Sequence, residues 1–206
     1  MRLVTVAHGT RTPAGNSVAR ALTGAAGTRL GLPWVASFVE LATPLYSSLP
    51  PEPSVVVPLL LSTGHHVRVD LAGQRPLGPD PLLAEAQVAR LVGAGAAAGQ
   101  PVVMVAAGSN DALATRDLML AAAYLAEAWG GPVRLATLSG RGRRPADVVR
   151  PGDAVSPYLL APGFFARRCR AESPGALVAD VIGAHPAVVD LVVERASEQL
   201  AGRRTA

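Results

Sequence analysis

Val4-Thr5-Val6-Ala7-His8-Gly9-Thr10 returns about 100 residues later as Val103-Met104-Val105-Ala106-Ala107-Gly108-Ser109. A second pair keeps the same offset. Pro58-Leu59-Leu60-Leu61-Ser62-Thr63-Gly64-His65-His66 is answered by Pro157-Tyr158-Leu159-Leu160-Ala161-Pro162-Gly163-Phe164-Phe165. A repeat of this length means that the chain folds twice into one supersecondary unit. Within the unit, short β-rich runs alternate with helical stretches. Strands are expected at Leu3–Ala7, Trp34–Leu41 and Val55–Leu61, and again at Val102–Ala107, Val133–Leu138 and Ala154–Ala161. Helices are expected at Asn16–Arg29, Pro44–Leu49 and Pro79–Gly99, then at Leu113–Trp129, Ala146–Arg150 and Val188–Leu200. Such alternation predicts an α/β chain of two lobes, each a parallel sheet flanked by helices. The join falls at Gly99-Gln100, giving lobes of residues 1–99 and 100–206.

The repeat is broken where chemistry would sit. The first half has His8 after its first strand and His65-His66 after its third; the second half has Ala107 and Phe164-Phe165 there. A structural need common to both halves would keep similar residues in both, so the polar groups of the first half point to function. Parallel sheets bind ligands outside the carboxyl ends of their strands. Three strand ends of the first half thus deliver His8, Glu40 and His65-His66 to one edge. Two imidazoles and a carboxylate suit a borderline divalent ion with open coordination positions. Glu40, read as the end of a buried strand, needs a partner, either a metal or an Arg.

Composition removes the rivals. The sequence has one Cys (Cys169), four His and no Lys; all 19 basic residues are Arg. One Cys cannot build a disulfide, a Cys-rich zinc module or a Cys-ligated cluster. Without Lys there is neither a Schiff-base nucleophile nor a Walker lysine. The aromatic content of 4% makes stacking platforms for nucleic acid scarce. The net charge of +4 fits an acidic small molecule, since guanidinium pairs bidentately with carboxylate. The apolar runs are too short to span a bilayer and no signal segment stands out, so a cytoplasmic location is expected.

Other features read as structural. Gly93–Gly99 has the glycines of a dinucleotide loop but follows a helix and precedes a strand, the reverse order. Gly140-Arg141-Gly142-Arg143-Arg144 reads as a solvated loop or an anion-binding rim. His185 reads as capping, and Cys169, among Arg167, Arg168 and Arg170, as an inert thiol despite the charges that would favour thiolate.

The segment Ala7-His8-Gly9-Thr10-Arg11-Thr12-Pro13-Ala14-Gly15-Asn16 resembles the opening His-Gly-Ser-Arg-Asp-Pro…Asn stretch of the class II chelatases, the sirohydrochlorin chelatases of siroheme and cobalamin synthesis. Phe38-Val39-Glu40-Leu41-Ala42-Thr43-Pro44 is similar to their Glu-containing segment. Pro58-Leu59-Leu60-Leu61…Gly64-His65-His66-Val67-Arg68-Val69-Asp70 resembles their Pro-Leu-x-Leu…Gly-x-His-Val-x-x-Asp segment. Thr10 stands for Ser, Thr12 for Asp, and Leu71-Ala72 for Ile-Pro. The resemblance implies two chelatase lobes around a central cleft. It also implies insertion of a divalent ion, Co²⁺ or Fe²⁺, into sirohydrochlorin, with Ni²⁺ a further candidate metal substrate. His8 and His66 match the family's metal-binding, catalytic histidines, and Glu40 matches their acidic partner. Thr10, Arg11, Ser62, His65 and Arg68 are the expected contacts to a substrate with eight carboxylates, with the Arg141–Arg144 loop a further candidate clamp. No cofactor beyond the metal substrate, no nucleic acid and no membrane is expected, in a monomer or homodimer. A non-catalytic metal or tetrapyrrole carrier with the same site is the alternative. A phosphohistidine enzyme fits less well, because Ala7 stands where such chemistry wants Arg.

Overall fold

The computed structural model describes residues 1–63, Leu71 and residues 73–204. In the first sheet β1 (Arg2–Ala7) lies between β2 (Trp34–Phe38) and β3 (Ser54–Pro58), all parallel. In the second, β4 (Val102–Ala106) lies between β5 (Val133–Thr137) and β6 (Ala154–Tyr158), and β7 (Leu177–Val178) extends the β6 edge, again all parallel. The repeat thus appears as two copies of one sheet, and the α/β class with two parallel sheets is as the sequence predicts.

Both sheets are covered on both faces, which is why their strands read as unbroken apolar runs. Leu3, Val55 and Val57 of the first sheet and Val102, Met104 and Ala154 of the second share one continuous core. Between them lie four long helices: α1 (Pro13–Leu30), α2 (Pro81–Gly93), α3 (Ala112–Trp129) and α6 (Pro186–Arg204). Val4, Val6 and Leu71 fill a smaller cluster behind the first sheet, and Val103, Val105, Leu138 and Cys169 fill one behind the second. Thr5, buried on the inner face, is satisfied by the Thr23 hydroxyl at 2.6 Å.

The last helix of each half packs across to the other sheet. Gln87 of α2 donates to the Ser156 hydroxyl of β6 at 2.8 Å, and Arg90 donates to the carbonyl of Ile182 at 3.0 Å. In return, α6 buries Val188, Leu191, Val192, Arg195 and Ala196, spaced as one helical stripe, and lies along α1, α2 and β3. Its Gln199 amide donates to Val56 O at 2.7 Å and accepts from Val56 N at 3.2 Å, so a side chain closes the open edge of β3.

Element boundaries differ from the sequence expectation in instructive ways. The apolar runs continue past the strands: pairing stops at Phe38, Pro58 and Tyr158, while Leu59, Leu60, Leu61, Leu159 and Leu160 line a cleft. Leu59 and Leu159 still belong to the core, whereas Leu60, Leu61 and Leu160 are half-buried where they face the cleft. Asp80 caps α2 by accepting from Leu82 N at 3.0 Å, and the helix ends at Gly93 rather than Gly99. The residues beyond it turn at Gly95 and Gly99, both with positive φ. The expected helix at Pro44–Leu49 is a single 3-10 turn, Tyr46–Ser48. The turn at Ala146–Arg150 forms as the short helix α4 (Pro145–Val148). Two elements escaped the sequence reading, α5 (Phe164–Ala171) and β7. Cys169 is the one buried residue of α5, so its periodic signal is too short to stand out.

Candidate active site

The carboxyl ends of both sheets open into one cleft of about 880 Å³. His8 follows β1 directly, and Glu40 lies two residues beyond β2. Because β1 and β2 pair in register through Ala7 and Phe38, the chain ends run side by side beyond them. Glu40 N donates to the carbonyl of His8 at 3.0 Å, and His8 Nε2 stands 3.3 Å from Glu40 Oε1. The expectation of a buried Glu40 is corrected here. Its strand stops at Phe38, and the carboxylate is 53% exposed beside an imidazole that is 46% exposed. His8 lines the cleft with Glu40 beside it, and neither exposed group carries a prior desolvation cost.

The turn that carries His8 is held tightly. Gly9 has φ of 95°, and a Cβ on it would stand 1.8 Å from the Glu40 carbonyl oxygen, so only glycine lets the two chain ends approach. Asn16 of α1 accepts from Thr10 N at 3.0 Å and donates to Thr10 O at 2.8 Å. Thr10 Oγ1 accepts from Thr12 N at 3.1 Å. Thr10 thus belongs to the scaffold of the turn as well as to the cleft wall. Arg20 steadies the Glu40 segment from behind, donating to Thr43 O at 3.2 Å with its guanidinium 5.5 Å from the centre of the Phe38 ring.

The other expected site residues divide. Arg11, Thr10 and Ser62 line the cleft. His65, His66 and Arg68 lie outside the described residues. Among the described residues no group of three His, Cys, Asp or Glu side chains converges. The chain leading to His65 is nevertheless fixed from the second lobe. Tyr158 OH donates to Leu61 O at 3.0 Å, and Asp117 of α3 accepts from Thr63 N at 2.6 Å. Burial, reinforced by Asp117 and Asp80, pushes the Tyr158 hydroxyl far above its ordinary range, so it stays protonated as a donor.

Sequence reasoning missed Tyr158 and Asp117, and it missed that Phe164, Phe165 and Arg167 form the opposite wall. The two rings meet edge to face with centroids 5.3 Å apart. Their one visible signal was the repeat itself, which sets Phe164-Phe165 against His65-His66. The Arg141–Arg144 loop is corrected as a clamp. None of its residues lines the cleft, and Arg144 is spent on Thr137 O, Thr137 Oγ1 and Gly140 O at 2.8–3.1 Å. Cys169 is buried and free, its thiol pushed up to about 11 by burial against the lowering effect of Arg170. That agrees with an inert role.

With this geometry in hand, the similarities to known proteins take on meaning. Residues 2–94, which include β1 to β3 and α2, match the CbiX family. Among solved structures, SirB from Bacillus subtilis with Fe³⁺ is 24% identical with a TM-score of 0.78, covering 100% of this chain and 98% of that one. The sirohydrochlorin chelatase SirB from Bacillus subtilis subspecies spizizenii in complex with cobalt is 21% identical, with the same TM-score and coverage. CbiX, the terminal enzyme for biosynthesis of siroheme in denitrifying bacteria, is 20% identical with a TM-score of 0.71, covering 96% of this chain and 99% of that one. No curated protein matches the sequence significantly. Residues 2–94 thus match the CbiX family, and the whole chain has the fold of these chelatase structures.

Proposed function

We propose that this protein inserts a divalent metal ion, Co²⁺ or Fe²⁺, into sirohydrochlorin. The observation that carries the reading is the His8–Glu40 pair, at 3.3 Å, in which exposed His8 lines a cleft of macrocycle size and Glu40 stands beside it, inside the segment that matches CbiX. Ligand cavities of roughly 300–1,000 Å³ are the common range, and this one lies near the top of it.

Metal insertion needs two things of a protein: the ion must shed water and two pyrrole N–H protons must leave. The imidazole of His8 suits both tasks, since its ring nitrogens can ligate a metal or accept a proton. Glu40 lies within reach of the same ion and adds negative charge that favours a dication. His66 completes the set by resemblance to the family motif, with His65 beside it. Arg11 and Arg167 on the cleft wall suit the substrate's carboxylates as bidentate partners, while Leu60, Leu160 and Phe164 suit its flat apolar faces. Thr10 and Ser62 supply hydroxyls on the same wall. The metal is a substrate here, and the chemistry calls for no further cofactor.

The test is direct. Purified protein is mixed with sirohydrochlorin and Co²⁺ or Fe²⁺, and the visible spectrum is followed. Insertion faster than the background, lost in His8→Ala and His66→Ala, is the expected result. Binding of macrocycle and metal without acceleration replaces the reading with a carrier, and no binding at all removes it.

A further inference from the structure

Leu41 stands next to Glu40 in a backbone conformation that leucine rarely adopts. Its φ is 62°, and it is the one non-glycine among the described residues with positive φ. The left-handed region brings Cβ against the following carbonyl, and only Gly, Asn and Asp enter it readily. The repeat shows that the turn itself does not ask for leucine. In the second lobe the equivalent position is Gly140, with the same φ of 62°. The equivalence is fixed by hydrogen bonds: Val39 N donates to Ala7 O in one lobe as Leu138 N donates to Ala106 O in the other, both at 2.9 Å.

The strain does not serve the core either. Leu41 is 48% exposed, and its side chain lines the cleft beside His8. A strained residue that persists at a site, where its repeat counterpart is the unstrained choice, marks a side chain held for what it touches. We propose that Leu41 is a positioning and specificity residue that presents an apolar contact to the ring of the macrocycle and seats it over the metal held beside Glu40. This rests on the chelatase reading and adds to it the group that sets the substrate's depth and tilt. Phe164, 62% exposed on the opposite wall, is the apolar counterpart.

The test exploits the opposite signs of strain and contact. Leu41→Gly and Leu41→Asn both relax the backbone, and neither offers an apolar side chain, whereas Leu41→Met retains the apolar contact. KM for sirohydrochlorin is measured with Co²⁺, together with KM for the ion, kcat and Tm. In Leu41→Gly and Leu41→Asn, the macrocycle KM rises roughly tenfold, as expected for the loss of one leucine-sized apolar contact. KM for the ion, which reports on the neighbouring Glu40, stays within about twofold, and Tm holds or rises by roughly 2–4 °C for a chain of this size. Leu41→Met keeps the wild-type macrocycle KM within about threefold. Unchanged macrocycle KM in both relaxed variants overturns the proposal. So does a fall in Tm in both, which would make Leu41 a packing residue. If the wild-type protein accelerates no insertion, the chelatase reading fails first; if it does and the variants match it, only the role of Leu41 fails.

Discussion

The two lobes repeat the same backbone and spend it differently. Gly9 and Gly108 make the same close approach at φ 95° and 90°, where a Cβ would stand 1.8 Å and 2.0 Å from the carbonyls of Glu40 and Ser139. Thr10 and Ser109 each accept from the backbone N–H two residues on, both at 3.1 Å. On this shared frame one lobe carries His8, Glu40 and Leu41, and the other carries Ala107, Ser139 and Gly140. Ser139 closes back on its own scaffold, donating to Ala107 O at 2.7 Å, where Glu40 reaches for His8. Duplication thus supplied two equivalent strand-end turns, and one was freed to become a wall. The second lobe is nevertheless more than a remnant, since Tyr158 and Asp117 hold the stem that leads to His65.

The sharpest way to break this comparison is to exchange the turn residues. His8→Ala is expected to lower the insertion rate by about 100-fold or more, the usual reach of one acid–base group. Adding Ala107→His to that variant should restore nothing, and recovery of activity would mean that the lobes are functionally equivalent. The shared frame predicts the reverse pattern for the glycines. Gly9→Ala and Gly108→Ala should each cost roughly 2–4 kcal/mol in urea unfolding, because the new Cβ meets a backbone carbonyl at positive φ. Unequal losses would show that one turn relaxes more easily than its twin.

Tyr158→Phe removes the donor on Leu61 O and should cost about 1–2 kcal/mol. If Tyr158 positions the stem, KM for the metal also rises; a stability loss with unchanged kinetics would confine it to packing. The smallest effect tests how the two sheets close their edges. Val56 is closed by the Gln199 amide, while the equivalent Val155 pairs with β7 and accepts from Ala179 N at 2.9 Å. Gln199→Ala should cost about 1 kcal/mol of stability and leave activity unchanged, as measured by the same unfolding curves and insertion assay.

Much of this was legible in the sequence, and for particular reasons. The repeat sets the register between halves, and strand direction then puts His8 and Glu40 at one edge. Their expected convergence holds for this pair, although Glu40 proved exposed where a buried strand end was expected. The apolar stretches Leu59–Leu61 and Leu159–Leu160 were read as strand, since a cleft floor and a buried strand have the same one-dimensional signature. The short helix α5 buries only Cys169, too little to show a period in the sequence.

By itself, then, the chain determines what depends on local pattern: the alternation of strand and helix, the duplicated unit, and the chemistry at the strand ends. Only the tertiary structure decides which residues from opposite halves meet. The crossing of α2 and α6 between sheets, the hold of Tyr158 and Asp117 on the first lobe, and the aromatic wall facing His8 join residues far apart in the chain. Leu41 belongs with them. Its identity looks ordinary in a row of letters, and only its φ of 62° and its place in the cleft reveal a strained residue at the site. Periodicity and turn chemistry act over a few residues, whereas these contacts arise from how two finished sheets pack.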